Sequence, residues 1–193
     1  MTIRVAALTG AALTAALPDL ARLRIEVFRA FPYLYQGDEA YEANYLRSYQ
    51  DTPGAILVAA MEGTRIVGAA TGMPLVSHAD ASQLSGPVPD VETIFYCAES
   101  VLLPTYRGHG IGHRFFDLRE AHARALGHAH SAFCAVIRPA DHPARPSGYS
   151  PLDPFWQARG YAPLPGVTAQ FHWADVGDTD EIPKSLQFWM KPL

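Results

Sequence analysis

Between Val101 and Phe116 the chain reads VLLPTYRGHGIGHRFF, an apolar run that passes through Gly108, Gly110 and Gly112 straight into an amphipathic helix. Glycine weakens a helix by roughly 1 kcal/mol relative to alanine, so three of them where a helix must start need a compensating purpose. Successive N–H groups in such a turn point into one concavity, and the helix dipole adds partial positive charge there. A pyrophosphate fits that concavity, and Arg107 adds a formal charge without crowding it.

Two nucleotide-binding patterns fail on spacing. A GxGxxG fingerprint needs glycine where His113 stands, and no acidic residue ends the following strand at Ala132 to Ile137. A nucleoside-triphosphate loop needs Gly-Lys-Ser/Thr, which the run lacks. A tight turn with glycines kept for packing is the remaining plain alternative.

The 193 residues suit a single domain over 1–193, with enough chain to bury a sizeable core. Apolar residues at 49% against 18% charged place it among compact globular proteins rather than disordered ones. With a formal charge of -4 and no basic run, it is not expected to bind nucleic acid. No run reaches the length of a membrane span, and the apolar start MTIRVAALTGAALTAAL, interrupted by threonine and glycine, resembles a signal peptide only loosely. Cys97 and Cys134 each sit in an apolar run and read as reduced, buried thiols of a cytosolic protein, acting as a monomer or homodimer.

A first strand is expected at Ile3 to Leu8 and a helix whose buried stripe includes Leu17, Leu20, Arg24, Val27 and Phe31, closed by Pro32. A second helix carries Tyr41, Tyr45 and Tyr49. Strands at Ala55–Met61 and Arg65–Thr71 form a hairpin, and Leu75 to Asp90 reads as a surface loop. One long strand is expected from Thr93 to Leu103. The helix after the glycines aligns Ile111, Phe115, Leu118 and Ala125, with Gly127 as its C-terminal cap. After a buried strand at Ala132–Ile137 comes the long loop RPADHPARPSGYSPLDP, then a short helix with Asp153 as N-cap, and closing strands at Gln170–Trp173 and Lys184–Met190.

The run SVLLPTYRGHGIG resembles the acyl-CoA-binding motif of the GNAT superfamily of N-acetyltransferases, with Arg107, Gly110 and Gly112 at its motif positions. Downstream of the motif, FFDLREAHARALG, SAFCAVI and FWQARGY match the family's next helix, strand and helix in order. The resemblance implies a GNAT fold: an α/β (α+β) arrangement with a mixed, mostly antiparallel sheet flanked by helices on both faces. It implies acetyl-CoA as co-substrate, no metal, and transfer to a small-molecule amine. The backbone of Val101, Leu102 and Leu103 would pair with pantetheine. Amides of Gly108, His109, Gly110, Ile111, Gly112 and His113 would hold the pyrophosphate.

Acetyl transfer needs a deprotonated amine, a polarised carbonyl and a stabilised thiolate. Glu99, in an apolar strand just before the glycines, is the candidate base; its plain alternative is a structural carboxylate paired with Arg119 or Arg138. The family register points Tyr96, Ala98 and Ser100 to the acceptor, so Ser100 and Tyr96 compete with Glu99. The family's tyrosine acid falls on Trp156, whose indole cannot supply a proton at neutral pH; Tyr149 in the preceding loop is the candidate substitute, the alternatives being water-assisted departure of the thiolate and a Tyr149 that is simply a packed loop residue. Arg138 and His142 are candidate contacts to an acceptor carboxylate, as in an amino-acid-like amine, or else members of a loop-internal ion network. Tyr33 and Tyr35 resemble the family's acceptor loop. A non-catalytic acyl-CoA sensor and a peptide or protein N-terminal acetyltransferase are the alternatives. The histidines, including His122, His128 and His130, lack the carboxylate or cysteine that would complete a metal site.

Overall fold

The computed structural model describes residues 3–193. Strand β1 (Ile3–Leu8) leads into helix α1 (Gly10–Phe28), which starts well before the stripe at Leu17. The alanine-rich turns there have high helix propensity, and Leu13 and Ala16 are already buried. The expected tyrosine helix is two short ones, α2 (Glu39–Tyr45) and α3 (Ser48–Asp51), the first capped by Asp38 accepting from the Tyr41 amide at 2.8 Å.

Strands β2 (Ile56–Glu62) and β3 (Arg65–Pro74) form the expected hairpin, with β3 continuing past Thr71. The segment after β3 is less superficial than its composition implies: two 3₁₀ turns bury Leu75 and His78 before the short strand β4 (Leu84–Ser85). The anticipated long strand is two, β5 (Ile94–Tyr96) and β6 (Ser100–Leu102). Helix α4 (Ile111–Ala125) follows the glycines and buries Ile111, Phe115, Phe116, Arg119, Glu120 and Ala123; Ala125 is on its exposed side. Strand β7 (His130–Val136) comes next. In helix α5 (Asp153–Ala158) Leu152 is the cap residue, so Asp153 occupies the first turn instead of the cap. Strands β8 (Ala162–Trp173) and β9 (Ile182–Pro192) close the chain, both longer than expected, with β8 interrupted in register between Pro163 and Thr168.

Among the described residues the strands form one sheet, ordered β1-β2-β3-β5-β7-β9-β8-β4, with β6 also pairing with β3. Only β5 and β7 run parallel. Strand β2 is buried on both of its alternating faces, because helices cover both sides of the sheet.

One departure from regularity governs the rest. Strand β5 lies between β3 and β7, and the Cys97 amide still donates to Ala132 of β7 at 2.8 Å. From Glu99 onward the chain stays with β3 alone: Thr71 N–H donates to the Glu99 carbonyl and Leu103 N–H to Val67, both at 3.1 Å. Strand β7 meanwhile continues on β9. The sheet therefore opens between β6 and β7.

Arg119 of α4 braces that opening. Its side chain is fully buried and donates to the carbonyls of Thr71 (2.9 Å), Glu99 (3.1 Å) and Phe115 (3.1 Å), and to the Ser100 hydroxyl oxygen (2.9 Å). Removing this guanidinium takes a donor from buried carbonyls, of which that of Glu99 keeps the Thr71 N–H while that of Thr71 is left exposed to the loss, at about 1–3 kcal/mol for each group orphaned. Arg119→Leu is accordingly expected to lower unfolding free energy by about 2–4 kcal/mol. Denaturant melts check this, and a loss below about 1 kcal/mol would show that the splay does not depend on Arg119.

Candidate active site

The opening between β6 and β7 is the floor of a cleft of about 1290 Å³. Its walls come from the end of α1 and the residues after it, from β7, from the loop over 138–152, from α5 and from the glycine turn. Among the glycines, Gly108 (φ +80°) and Gly110 (φ +74°) hold the left-handed backbone that side chains avoid. A Cβ at either would meet no atom within 4 Å. Space for packing is thus not what selects glycine there; the backbone conformation and the open concavity are. Gly110 caps α4, so the helix's first N–H groups face the cleft end lined by Gly108, Ile111, Gly112 and His113.

Not every anticipated contact is there. Val101 and Leu103 are buried and line no part of the cleft. In the antiparallel pairing with β3 their peptide groups point toward β3, and those of Ser100 and Leu102 point to the open side. The outward Leu102 carbonyl accepts from Arg107 Nε at 3.2 Å. His109 is exposed and off the lining, whereas His113 lines it, with Nδ1 3.2 Å from an Arg159 Nη and its ring edge-on to Phe155.

A second cavity of about 410 Å³ meets the first at Phe28, Tyr33, Ala98, Glu99 and Cys134, which line both. Glu99 is the charged residue at that junction. Its partner is neither of the arginines anticipated: Arg24 Nη1 donates to one carboxylate oxygen at 2.8 Å and the Thr71 hydroxyl to the other at 2.7 Å. Arg24 also donates to Glu42 and lies over the rings of Tyr45 and Phe28. Behind Thr71, the Tyr49 hydroxyl is 3.1 Å from Thr71 Oγ1 and 3.3 Å from His78 Nε2. An arginine inside an apolar helical stripe was the available signal for Arg24. Nothing comparable marked Thr71 or His78.

Tyr149 lines the large cleft, edge-on to Phe31 at 4.7 Å and beneath the Arg145 guanidinium. Burial above all, then Asp153, pushes its phenol up, so it is protonated at neutral pH. Trp156 fills the cleft wall against Phe133 and Trp189. Tyr33 lines both cavities, and Tyr35 and Tyr96 line the smaller. Burial raises the Cys134 thiol to about 12 and also raises the phenol of Tyr96.

Arg138, expected as an acceptor contact, lines the large cleft but not the smaller cavity. Arg138 donates twice to Asp175 (2.7 and 2.8 Å) and to the carbonyls of Pro32 and Tyr33 (2.8 and 2.7 Å), so its donors are committed within the fold. His142 packs on Phe31, accepts from the Ala144 amide, and lines neither cavity. The ion pair that forms joins the start of this loop to Asp175 of the β8–β9 connection and does not close within the loop.

The family model of the GNAT acetyltransferases matches residues 19–146. The chain belongs to the GNAT acetyltransferase family. Among solved structures it is similar to the ribosomal-protein-alanine N-acetyltransferase of Brucella melitensis (17% identity, 100% of both chains covered, TM-score 0.60). It is also similar to yncA of Salmonella typhimurium with its cofactor acetyl-CoA (12%, 100% of this chain and 95% of that one, TM-score 0.61). A third is the PaiA N-acetyltransferase of Thermoplasma acidophilum in complex with coenzyme A (12%, 100% of both, TM-score 0.57). At these identities the likeness establishes the shared fold. Among curated proteins, none matches this chain. GNAT enzymes use acetyl-CoA, and the empty concavity over Gly108 and Gly110 suits its pyrophosphate. No helix among the described residues is long and apolar enough to cross a membrane.

The Arg138–Asp175 pair that fixes the cleft loop gives a pH signature. Burial pushes the Asp175 carboxyl up, but hydrogen bonds and charge from Arg138 and Lys184 outweigh it and hold the group below its usual 3.8. A depressed folded pKa means stability present above the unfolded value and lost as pH falls through the folded one. Asp175→Asn should cost about 1–3 kcal/mol at neutral pH, with the difference from the parent shrinking below the ordinary carboxylate range. Melts across that range check it; a difference that does not vary with pH would exclude the ion pair as the cause.

Proposed function

We propose that the protein is an acetyl-CoA-dependent N-acetyltransferase that transfers the acetyl group directly to the primary amine of a small molecule in the cytosol. The observation that carries this reading is the meeting of two cavities at Glu99, one ending in a glycine cradle and the other lined by tyrosines. Direct transfer needs that arrangement, because donor and acceptor must reach one carbon from opposite sides. The two buried, unpaired thiols suit a reducing compartment.

In this reading the amides from Gly108 to His113 bind the pyrophosphate, and the outward peptide groups of Ser100 and Leu102 flank the pantetheine. When bound, acetyl-CoA supplies an activated acetyl thioester. Glu99 accepts the amine's proton, using lone pairs left free by Arg24 and Thr71. The amine nitrogen forms the C–N bond to the carbonyl carbon as the C–S bond breaks. Tyr149, a neutral phenol on the cleft wall, returns a proton to the departing sulfur. Ser100 contributes a hydroxyl whose oxygen is fixed by Arg119, leaving its proton to donate into the cleft. Tyr33, Tyr35 and Tyr96 border the acceptor.

Two variants test the reading. Gly110→Asp sets a carboxylate against the pyrophosphate, and calorimetry should show CoA affinity at least about a hundredfold weaker with cooperative melting kept. Unchanged affinity would remove the cradle from the proposal. Glu99→Gln should lower kcat by about a hundred- to ten-thousandfold and erase the acidic limb of the kcat/KM profile, with acetyl-CoA binding intact. A variant that keeps its rate would leave Glu99 as a purely structural anion.

A further inference from the structure

We infer that the acceptor is a primary amine bearing a second positive charge, of the aliphatic diamine or polyamine class, bound in the smaller cavity with its distal ammonium between Asp80 and Glu181. This rests on the acetyltransferase reading and names the substrate class for that site.

Charge accounting in the cavity leads there. The formally charged side chains lining it are Arg24 from α1, Asp80 from the turn after β3, Glu99 from the sheet opening, and Glu181 from the β8–β9 connection; His172 of β8 is also on the wall. Arg24 is claimed twice over, by Glu99 and by Glu42, and fully buried Glu42 still has one oxygen without a hydrogen-bond partner. The arginine therefore leaves no positive charge for an acceptor carboxylate.

Among the described residues neither Asp80 nor Glu181 has a lysine or arginine partner. The nitrogen nearest Asp80 is His78 Nδ1 at 3.4 Å, and that nitrogen accepts the Asp80 backbone N–H, so its lone pair and not a proton faces the residue. Glu181 has no cationic partner among the described residues. Lys184, the nearest lysine in sequence, is bound to Asp175 beside Trp173 and does not line the cavity. Both carboxylates act on Tyr41: burial is the main cause of its raised phenol pKa, and Glu42, Glu181 and Asp80 add to it.

The attacking nitrogen must be neutral before it bonds to carbon, and the positive charge it then gains is relieved by loss of its proton to Glu99 rather than by the rim carboxylates. A second ammonium keeps its charge throughout. Tyr35, Tyr41 and Tyr45 present phenol rings around the same space, which suits a methylene chain and adds cation–π attraction for its charged end. A cavity of about 410 Å³ is within the range of small-molecule sites.

Three amines of matched length separate the possibilities: cadaverine, hexylamine with a methyl in place of the second ammonium, and ε-aminocaproate with a carboxylate there. Thiol release with acetyl-CoA should give kcat/KM falling by about tenfold at each step in that order. In the Asp80→Asn/Glu181→Gln double variant the cadaverine preference over hexylamine should narrow to within about threefold, while calorimetry shows acetyl-CoA binding at parent affinity. Equal or better use of ε-aminocaproate, or a cadaverine preference that survives the double variant, overturns the inference. Turnover of hexylamine without preference for cadaverine overturns it and leaves the transferase reading standing. Failure to bind acetyl-CoA overturns both.

Discussion

The site depends on one buried cation held by neutral oxygens. Arg119 has no carboxylate partner among the described residues; its donors go to three carbonyls and a hydroxyl, and its guanidinium also lies 4.7 Å from the Phe116 ring. Where a strand leaves its neighbour, peptide groups lose ladder partners inside the protein, and buried orphans are costly. Arg119 reaches from α4 to the point where β5 ends and β6 begins. It converts a break in the sheet into a defined geometry, with the outward peptide groups of Ser100 and Leu102 along an open edge.

Two ion networks then set the walls. Arg24, Glu42 and Glu99 join α1 to α2 and to the break, and Arg138, Asp175 and Lys184 join the end of β7 to the β8–β9 connection. Buried ion pairs add little net stability because desolvation offsets their attraction, but they fix position, since breaking one leaves a charge uncompensated. That suits a site with one charged group at the junction of two cavities. Glu99 is both an ion-pair partner and that charged group, with one hydrogen bond accepted at each carboxylate oxygen.

The elements legible in the sequence are those whose signal is local. The β2–β3 hairpin follows from two apolar runs about Gly63, and the cradle and α4 follow from three glycines ahead of a 3.6-residue stripe. The break within Thr93 to Leu103 left no local trace, because its residues are strand-like on both sides and the parting shows only in which neighbour each half pairs with: β5 with β3 and β7, β6 with β3 alone. Strand β8 was shortened by its Pro163, Pro165 and Gly166, which coincide with the register shift against β9. Arg138 looked available for an anion because its partner Asp175 is remote in sequence. Asp80 and Glu181 are likewise far apart in the chain, and nothing local marks them as lining one cavity.

Trp156 shows how one substitution in a family pattern relocates a chemical role. The indole packs edge-on to Trp189 and against Phe133, so it completes the cleft wall as an apolar surface. In the proposed mechanism the proton donor comes instead from Tyr149, on the loop that follows β7. That loop is not independent of the acceptor side: Arg138 at its start donates to the carbonyls of Pro32 and Tyr33, and Tyr149 rests on Phe31. Tyr33 lines both cavities. The segment carrying Tyr33 and the segment carrying Tyr149 therefore share one anchor. Arg138 thus ties Tyr33, which lines both cavities, to the loop that carries Tyr149, so the two walls of the cleft are held by one set of contacts.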